Sequence, residues 1–243
     1  METRQIRETL LLHADEAYRL FITALKPSRH RIIGVRMPVI RRIAKNFPDP
    51  LFTLKTFPFD PDPWYEEVLL ASILAGKLAS PEQTIIALER LLPCNDGWAT
   101  NDTLCQGLVL MDRFPDAFWP YLKAKSASAN PWDVRFSVVS LMDWYLDDRH
   151  IDEVLSVVQT IDRSHPYVML AAAWLLATAI VSYPRKVFPL LEPGILDETT
   201  RKKAIQKAGE SRRVPSSMKA RLQVMRPARE GRSSPTSRPV PSR

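Results

Sequence analysis

Trp98 and Asp102 lie four residues apart in the segment GWATNDTL, residues 97–104. Side chains with this spacing share one face of an α-helix. An indole attracts a cation by up to about 2 kcal/mol when the pair is desolvated, and a carboxylate adds direct charge attraction. The pair therefore predicts a surface that binds a cationic group. The alternative is an indole packed in the interior beside a surface carboxylate or helix cap.

Arg135, in the segment PWDVRFSVV, and Trp174, in AAAWLLATA, are the other side chains that could belong to such a site. A guanidinium repels a cation but binds a phosphate group through two parallel hydrogen bonds. A ligand that is cationic and also attached to phosphates is DNA that carries an alkylated purine. The four residues are therefore candidates for a site that binds alkylated DNA, although Arg135 could instead pair with Asp133 or another acid.

The composition favours helices as the elements that carry these side chains. The chain has 243 residues and is 45% hydrophobic, with only 7 Gly against 21 Pro. A chain of this length and composition can bury a sizeable core. Its prolines mark turns between helices, and alternating β-branched runs are few. We therefore expect an all-α fold.

One helix-start pattern recurs along the chain. An N-cap residue is followed by proline and an aromatic residue at 62–64, 130–132 and 165–167. The cap satisfies a free amide, and proline has none to lose. Asn95 and Asp96 are expected to cap a fourth helix before Trp98. The aromatic residues at 64, 98, 132 and 167 are separated by 34, 34 and 35 residues, a period that predicts a right-handed α-solenoid of HEAT-like helical hairpin repeats.

The repeat also predicts where the candidate residues point. Counted from the aromatic residue of their own helix, Trp98, Asp102, Arg135 and Trp174 lie at offsets 0, 4, 3 and 7. At 100° per residue these offsets span about 100° of the helix circumference. Equivalent helices would therefore direct all four toward the concave groove, where solenoids bind their partners. Trp64 and Trp132 are expected to be core residues.

Positive charge is concentrated in two parts of the chain. Residues 201–243 contain 13 Lys and Arg against 2 Glu, so that residues 1–200 carry −4 of the total charge of +7. Residues 26–45 contain 7 Lys and Arg and no acid. This segregation predicts a polyanionic partner, nucleic acid before a membrane surface, with solubility as the alternative. Apolar residues 35, 39, 40 and 43 would face inward and leave four cations for phosphates: Arg36, Arg41, Arg42 and Lys45.

Five segments, taken with their order and spacing, resemble the AlkD-like DNA alkylation repair glycosylases, which are built from HEAT-like repeats. They are WATND, PWDVRFSVV, AAAWLLATA, the opening segment GVRMPVIRRIAKNFP (residues 34–48) and the closing segment KAIQKAGESRRV (residues 203–214). The similarity covers about residues 5–215. The closing segment adds four cations that are expected to contact DNA: Lys203, Lys207, Arg212 and Arg213.

The resemblance implies hydrolysis of the N-glycosidic bond of cationic lesions, such as 3-methyladenine and 7-methylguanine, in duplex DNA. Asp102 would be the catalytic residue, which stabilises an oxocarbenium-like sugar and positions or activates water. Trp98 and Trp174 would contact the deoxyribose and the base, and Arg135 would hold a backbone phosphate. The base would not enter a snug pocket, unlike a flipped base. The alternative is a noncatalytic helical-repeat module that binds nucleic acid or a protein partner.

The remaining features concern domain limits and cofactors. Residues 1–225 are expected to form one HEAT-like repeat domain, and the Pro-, Ser- and Arg-rich residues 226–243 a disordered tail. Four scattered His and two Cys match no metal-ligand spacing, so we expect neither metal nor cofactor. The uncharged stretch 167–184 is expected to be a buried helix rather than a membrane span. We recognise no signal peptide and expect a cytoplasmic monomer, associated with the nucleoid in a bacterium.

Overall fold

A computed structural model describes residues 3–56 and 62–225 of the chain. All regular elements in this part of the chain are helices. The prediction of an all-α fold is confirmed for this part of the chain. The predicted tail, residues 226–243, lies outside the described residues. In chain order the α-helices are α1 (Thr3–Leu11), α2 (Glu16–Ala24), α3 (Met37–Ala44), α4 (Pro50–Thr56), α5 (Tyr65–Ala75), α6 (Pro81–Leu91), α7 (Trp98–Gly107), α8 (Leu110–Arg113), α9 (Pro115–Ser126), α10 (Pro131–Trp144), α11 (Ile151–Thr160), α12 (Pro166–Ala179), α13 (Pro184–Leu190), α14 (Glu198–Glu210) and α15 (Ser216–Val224).

Six helices form a series in which each packs against the next: α3, α5, α7, α10, α12 and α14. Other helices pack beside this series, α4 and α6 on α5, α9 on α10, α13 on α12 and α15 on α14. We call the six helices the central series. Trp98 and Asp102 on α7, Arg135 on α10 and Trp174 on α12 thus come from three consecutive members. The right-handed HEAT-like solenoid stays a prediction.

Four helices of the central series begin at nearly constant intervals. Their first residues are Tyr65, Trp98, Pro131 and Pro166, which are 33, 33 and 35 residues apart. Two starts follow the predicted pattern. Asn130 caps α10 through its side-chain oxygen, 3.1 Å from the amide nitrogen of the second helical residue, and Pro131 comes first. Pro166 likewise opens α12, although the side chain of His165 before it does not cap the helix.

The predicted start of α5 is wrong by two residues. The helix begins at Tyr65, and Trp64 rather than Asp62 is the N-cap. The amide nitrogen of Trp64 donates to Oε2 of Glu67 at 2.7 Å. A carboxylate in the first turn of the helix therefore accepts a hydrogen bond that the predicted cap, Asp62, was expected to accept. Glu67 is buried and also pairs with Arg7 at 2.8 Å. The charge of this acid is therefore paired in the interior and not presented at the surface.

The predicted cap of α7 is also wrong. Gly97, not Asn95 or Asp96, precedes the first helical residue. The carboxylate of Asp96 instead accepts the amide of Arg29 at 2.9 Å. A Cβ on Gly97 would lie 1.9 Å from the carbonyl oxygen of Pro27, so only glycine fits between the start of α7 and this segment. A contact between residues about 70 positions apart therefore determines where the helix begins.

The interior runs along the central series, and α12 shows its character. Its buried face includes Ala171, Ala172 and Leu175, and the helix packs against α10 on one side and α14 on the other. The uncharged stretch 167–184 is therefore largely a buried helix, as predicted. Within residues 3–56 and 62–225, no helix has the length and apolar character needed to cross a membrane.

Candidate active site

Asp102 and Arg135 form a bidentate ion pair between α7 and α10. Nε of Arg135 lies 3.0 Å from Oδ1 of Asp102, and Nη2 lies 2.7 Å from Oδ2. The Asp102 side chain is 14% exposed and that of Arg135 is 6% exposed. The structure therefore brings these two candidate residues into direct contact, at a site that is largely but not completely shielded from solvent.

Arg135 also connects α10 to α12. Its Nη1 donates to the carbonyl oxygen of Tyr167 at 2.7 Å, and its guanidinium carbon lies 5.9 Å from the centre of the Tyr167 ring. Three of the five guanidinium N–H groups therefore donate hydrogen bonds, two to Asp102 and one to Tyr167. Asp133, the other predicted partner, accepts the hydroxyl of Ser128 at 2.9 Å. Arg135 thus joins three helices of the central series.

The surroundings of Asp102 allow its own carboxylate to interact strongly with a positive charge. Both of its oxygens accept N–H groups of a cation, which requires the carboxylate rather than the acid. Burial raises the pKa of Asp102, and the charges of Arg135 and Lys207 oppose that rise. Because little water surrounds it, the carboxylate would attract a further positive charge more strongly than an exposed acid.

Lys207, on α14, lies near both Asp102 and Trp174. Its charge acts on Asp102, and its Nζ lies 5.9 Å from the centre of the Trp174 ring. Trp174 and Lys207 line an open pocket of about 300 Å³, which Thr178 and Arg213 also border. Sequence reasoning assigned Lys207 only to the closing basic segment. Its position beside the indole depends on the packing of α12 against α14, which the sequence pattern did not contain.

Trp98 is half-buried against the core at the start of α7. Hydrogen bonds on either side of Asp102 hold α7 against α10. The side-chain amide of Asn101 donates to the carbonyl oxygen of Trp132 at 2.9 Å, and Nε1 of Trp144 donates to the carbonyl oxygen of Cys105 at 2.8 Å. These two hydrogen bonds, one before and one after Asp102 in the chain, fix the position of α7 relative to α10 and therefore that of Asp102 relative to Arg135.

The two tryptophans predicted to be core residues differ. Trp132 is 8% exposed, and its ring lies 5.3 Å from that of Tyr167, so this prediction is confirmed. Trp64 is only half-buried, with the guanidinium carbons of Arg7 and Arg31 at 4.8 and 5.3 Å from its ring centre. The core prediction for Trp64 is confirmed only in part, because this indole packs against the core but stays partly exposed beside two guanidinium groups.

Asp143, on α10, is an acid near the site that sequence reasoning did not identify. Its Oδ2 is shielded from solvent and has no hydrogen-bond partner in the described part of the chain. Burial and, secondly, the charge of Asp102 raise its pKa to about 6. One acid near the end of a mostly apolar helix carries no sequence signal. Only the packing of α7 against α10 brings it near Asp102.

The cations expected to contact DNA have different surroundings. Arg36 is exposed, but its Nη2 donates to Oδ2 of Asp15 at 2.9 Å, and its guanidinium carbon lies 4.6 Å from the centre of the Tyr18 ring. Lys203 is half-buried and donates to Oε1 of Gln206 at 3.0 Å. Contact with DNA stays a prediction for all of them. The other exposed members are Arg41, Arg42, Lys45, Arg212 and Arg213.

These features define an all-helical protein in which successive helices of one series contribute a carboxylate, a guanidinium, an indole and an ammonium group to one region. A sequence model of the family described as DNA alkylation repair enzyme matches residues 6–208. The chain belongs to this DNA alkylation repair enzyme family. The matched range includes Asp102, Arg135, Trp174 and Lys207. Among curated proteins, none matches the chain.

Proposed function

We propose that the protein is a DNA glycosylase that hydrolyses the N-glycosidic bond of cationic alkylated purines in duplex DNA. The observation that carries this proposal is the bidentate pair of Asp102 with Arg135, near Lys207 and Trp174, in a member of this family. We further propose that residues 1–225 form a monomeric right-handed solenoid of HEAT-like repeats and that the DNA lies along its concave groove.

In the proposed reaction, the bond between C1′ of the deoxyribose and the base nitrogen breaks. Its electron pair returns to the cationic base, which leaves as a neutral molecule, and positive charge develops on the sugar. Asp102 stabilises that charge. Water then adds to C1′ and loses a proton, which leaves an abasic site. Because a cationic purine leaves without being protonated, the reaction requires neither a general acid nor a cofactor.

The pairing of Asp102 determines how this residue would act. While Arg135 occupies both carboxylate oxygens, Asp102 acts through its charge and orientation. Removal of a proton from water would require that one oxygen leave the guanidinium. We propose that Arg135 holds Asp102 in place and that its two remaining N–H groups bind a backbone phosphate. Trp98 and Trp174 would contact the deoxyribose and the cationic base.

The test is release of methylated purine from duplex DNA treated with a methylating agent, under single-turnover conditions. We expect Asp102→Asn to lower the rate by about 10²–10³-fold, because it removes the charge that stabilises the transition state, while binding to undamaged DNA is retained. Asp112→Asn, at an exposed acid of α8, is the control and should release base at the wild-type rate. Equal release by both variants would remove Asp102 from the mechanism.

A noncatalytic module that binds nucleic acid or protein is the rival function. It predicts no base release by the wild-type protein. If DNA binding persists in that case and weakens steeply as salt rises, the protein is a nucleic-acid-binding module. A protein-binding module would instead show little affinity for DNA at any salt concentration.

A further inference from the structure

The loop between α2 and α3 carries cations that the candidate active site does not use. We call residues 26–31 the basic loop. The loop is attached to the start of α7, where the carbonyl oxygen of Pro27 accepts the amide of Ala99 at 3.4 Å. The hydroxyl of Ser28 donates to the carboxylate of Asp96, and Asp96 also accepts the amide of Arg29 at 2.9 Å. The basic loop is thus held next to the helix that begins with Trp98.

A second set of contacts attaches the loop and the residues after it to α5. The carbonyl oxygen of Arg31 accepts the amide of Tyr65 at 2.9 Å. The buried carboxylate of Glu66 accepts the amides of Ile33, Gly34 and Val35, the shortest at 2.8 Å to Gly34. Such a buried acid bonded to three amides keeps a chain segment in one conformation. The basic loop is therefore fixed at both ends, although it contains no helix or strand.

On the side of the basic loop, these hydrogen bonds use backbone groups and the Ser28 hydroxyl, so the cationic side chains of the loop remain at the surface. Lys26, Arg29 and Arg31 are exposed, and together with Arg19 they line an open pocket of about 780 Å³. The lining contains one acid, Glu16, which pairs with Arg19 at 2.6 Å. Four cations against one carboxylate leave an excess of three positive charges in one pocket. Lys26 also has a φ of 48°, a conformation that side chains other than glycine rarely adopt and that often accompanies function.

We propose that the basic loop binds consecutive phosphodiester groups of the DNA strand that passes the start of α7. This inference rests on the proposed function, since it assigns part of the same DNA path. The pocket is open, with a volume of about 780 Å³, and Lys26, Arg29 and Arg31 are exposed rather than buried around one point. That arrangement suits the repeated charges of a strand better than a single small anion. Because Pro27 contacts Ala99, the loop sets the position of the bound strand relative to Trp98.

The test compares DNA binding of matched charge variants. Lys26→Gln/Arg29→Gln removes two positive charges from the basic loop, and Arg185→Gln/Lys186→Gln removes two from exposed positions on α13. Affinity for undamaged duplex DNA is measured by fluorescence anisotropy over a range of salt concentrations. The slope of log K against log salt is negative, and we expect it to be less steep by about 2 in the loop variant, at about 0.9 per phosphate contact. The α13 variant should keep the wild-type slope. Circular dichroism verifies that both variants fold.

The outcomes separate this proposal from the proposed function. If the three slopes agree while the wild-type protein still releases methylated base, the basic loop is not part of the DNA path and the proposed function stands. A less steep slope for the loop variant, with no base release by any of the proteins, retains the role of the basic loop in DNA binding and rejects the glycosylase. Titration calorimetry with inorganic phosphate and pyrophosphate forms the third arm. Binding lost only in the loop variant, without any change in the DNA slope, would overturn the proposal in favour of a small-anion site.

Discussion

At the residue scale, two nearby acids have opposite surroundings. Asp102 has a guanidinium against both of its oxygens. Oδ2 of Asp143 has no hydrogen-bond partner in the described part of the chain. The charge of Asp102 also contributes to the raised pKa of Asp143. The folded protein therefore accommodates the first charge through a partner, whereas the second charge costs stability whenever it forms.

Asp143→Asn should reveal that cost as a pH-dependent gain in stability. The pKa of about 6 in the folded protein lies above the value of about 3.9 in an unfolded chain. Wild-type stability should therefore fall as the pH rises through this interval, and the loss is complete above it. Relative to wild type, the variant should gain on the order of 1 kcal/mol between pH 4 and pH 7.5, with partial exposure discounted. Urea unfolding at the two pH values measures this, and a constant difference would contradict it.

At the scale of elements, the start of α7 is set by a neighbouring loop as much as by its own residues. Gly97 precedes the helix, and the Pro27 carbonyl occupies the space that a side chain would need. The same carbonyl accepts the amide of Ala99. The position of Trp98 and Asp102 therefore depends on the glycine that precedes the helix and on the loop that packs against it.

Gly97→Ala should destabilise the protein by about 1–3 kcal/mol, because the added Cβ would lie 1.9 Å from the Pro27 carbonyl oxygen and the backbone must shift. We also expect slower base release, since the shift moves the first turn of α7. Gly107→Ala, at the other end of the same helix, is the matched control. Its Cβ would lie 3.8 Å from the nearest atom, so its stability should be unchanged or slightly higher. Thermal unfolding of both variants decides, and equal midpoints would contradict the steric account.

Local sequence signals predicted part of the fold. The helical class and the starts of α10 and α12 depend on local signals, Asn130 with Pro131 and then Pro166, and these predictions are confirmed. The starts of α5 and α7 depend on other contacts, including those with Pro27 and Glu67, and were predicted wrongly. The repeat predicted only a common direction for Asp102 and Arg135, because helical periodicity provides angles and not distances. Their contact, and the positions of Lys207 and Asp143, required the packed structure.

At the scale of the whole molecule, charge is distributed unevenly. Residues 201–243 carry a net +11, and residues 226–243 alone contain five Arg and one Glu. The family match ends at residue 208, so much of this charge lies beyond it. Positive charge of this kind raises the affinity of a protein for any DNA sequence, in a salt-dependent manner.

Deletion of residues 226–243 tests the predicted disorder of this segment. If the segment is disordered, the midpoint of thermal unfolding should stay within about 2 °C of the full-length value, because no packed contact is lost. Affinity for DNA should fall at low salt and converge with that of the full chain at high salt, because four net positive charges are removed. Calorimetry and anisotropy measure the two effects. A midpoint lower by several degrees would show that the segment packs against the helices.

The contacts of Arg135 also set a condition on any division of the chain. A cut in the exposed turn at residues 147–149 would leave Asp102 and Arg135 on one fragment and Trp174 and Lys207 on the other. Neither fragment would contain the complete cluster. Activity could return only when the two fragments reassociate through the surface between α10 and α12, so the proposed reaction would serve as its own reporter in a split-protein complementation assay.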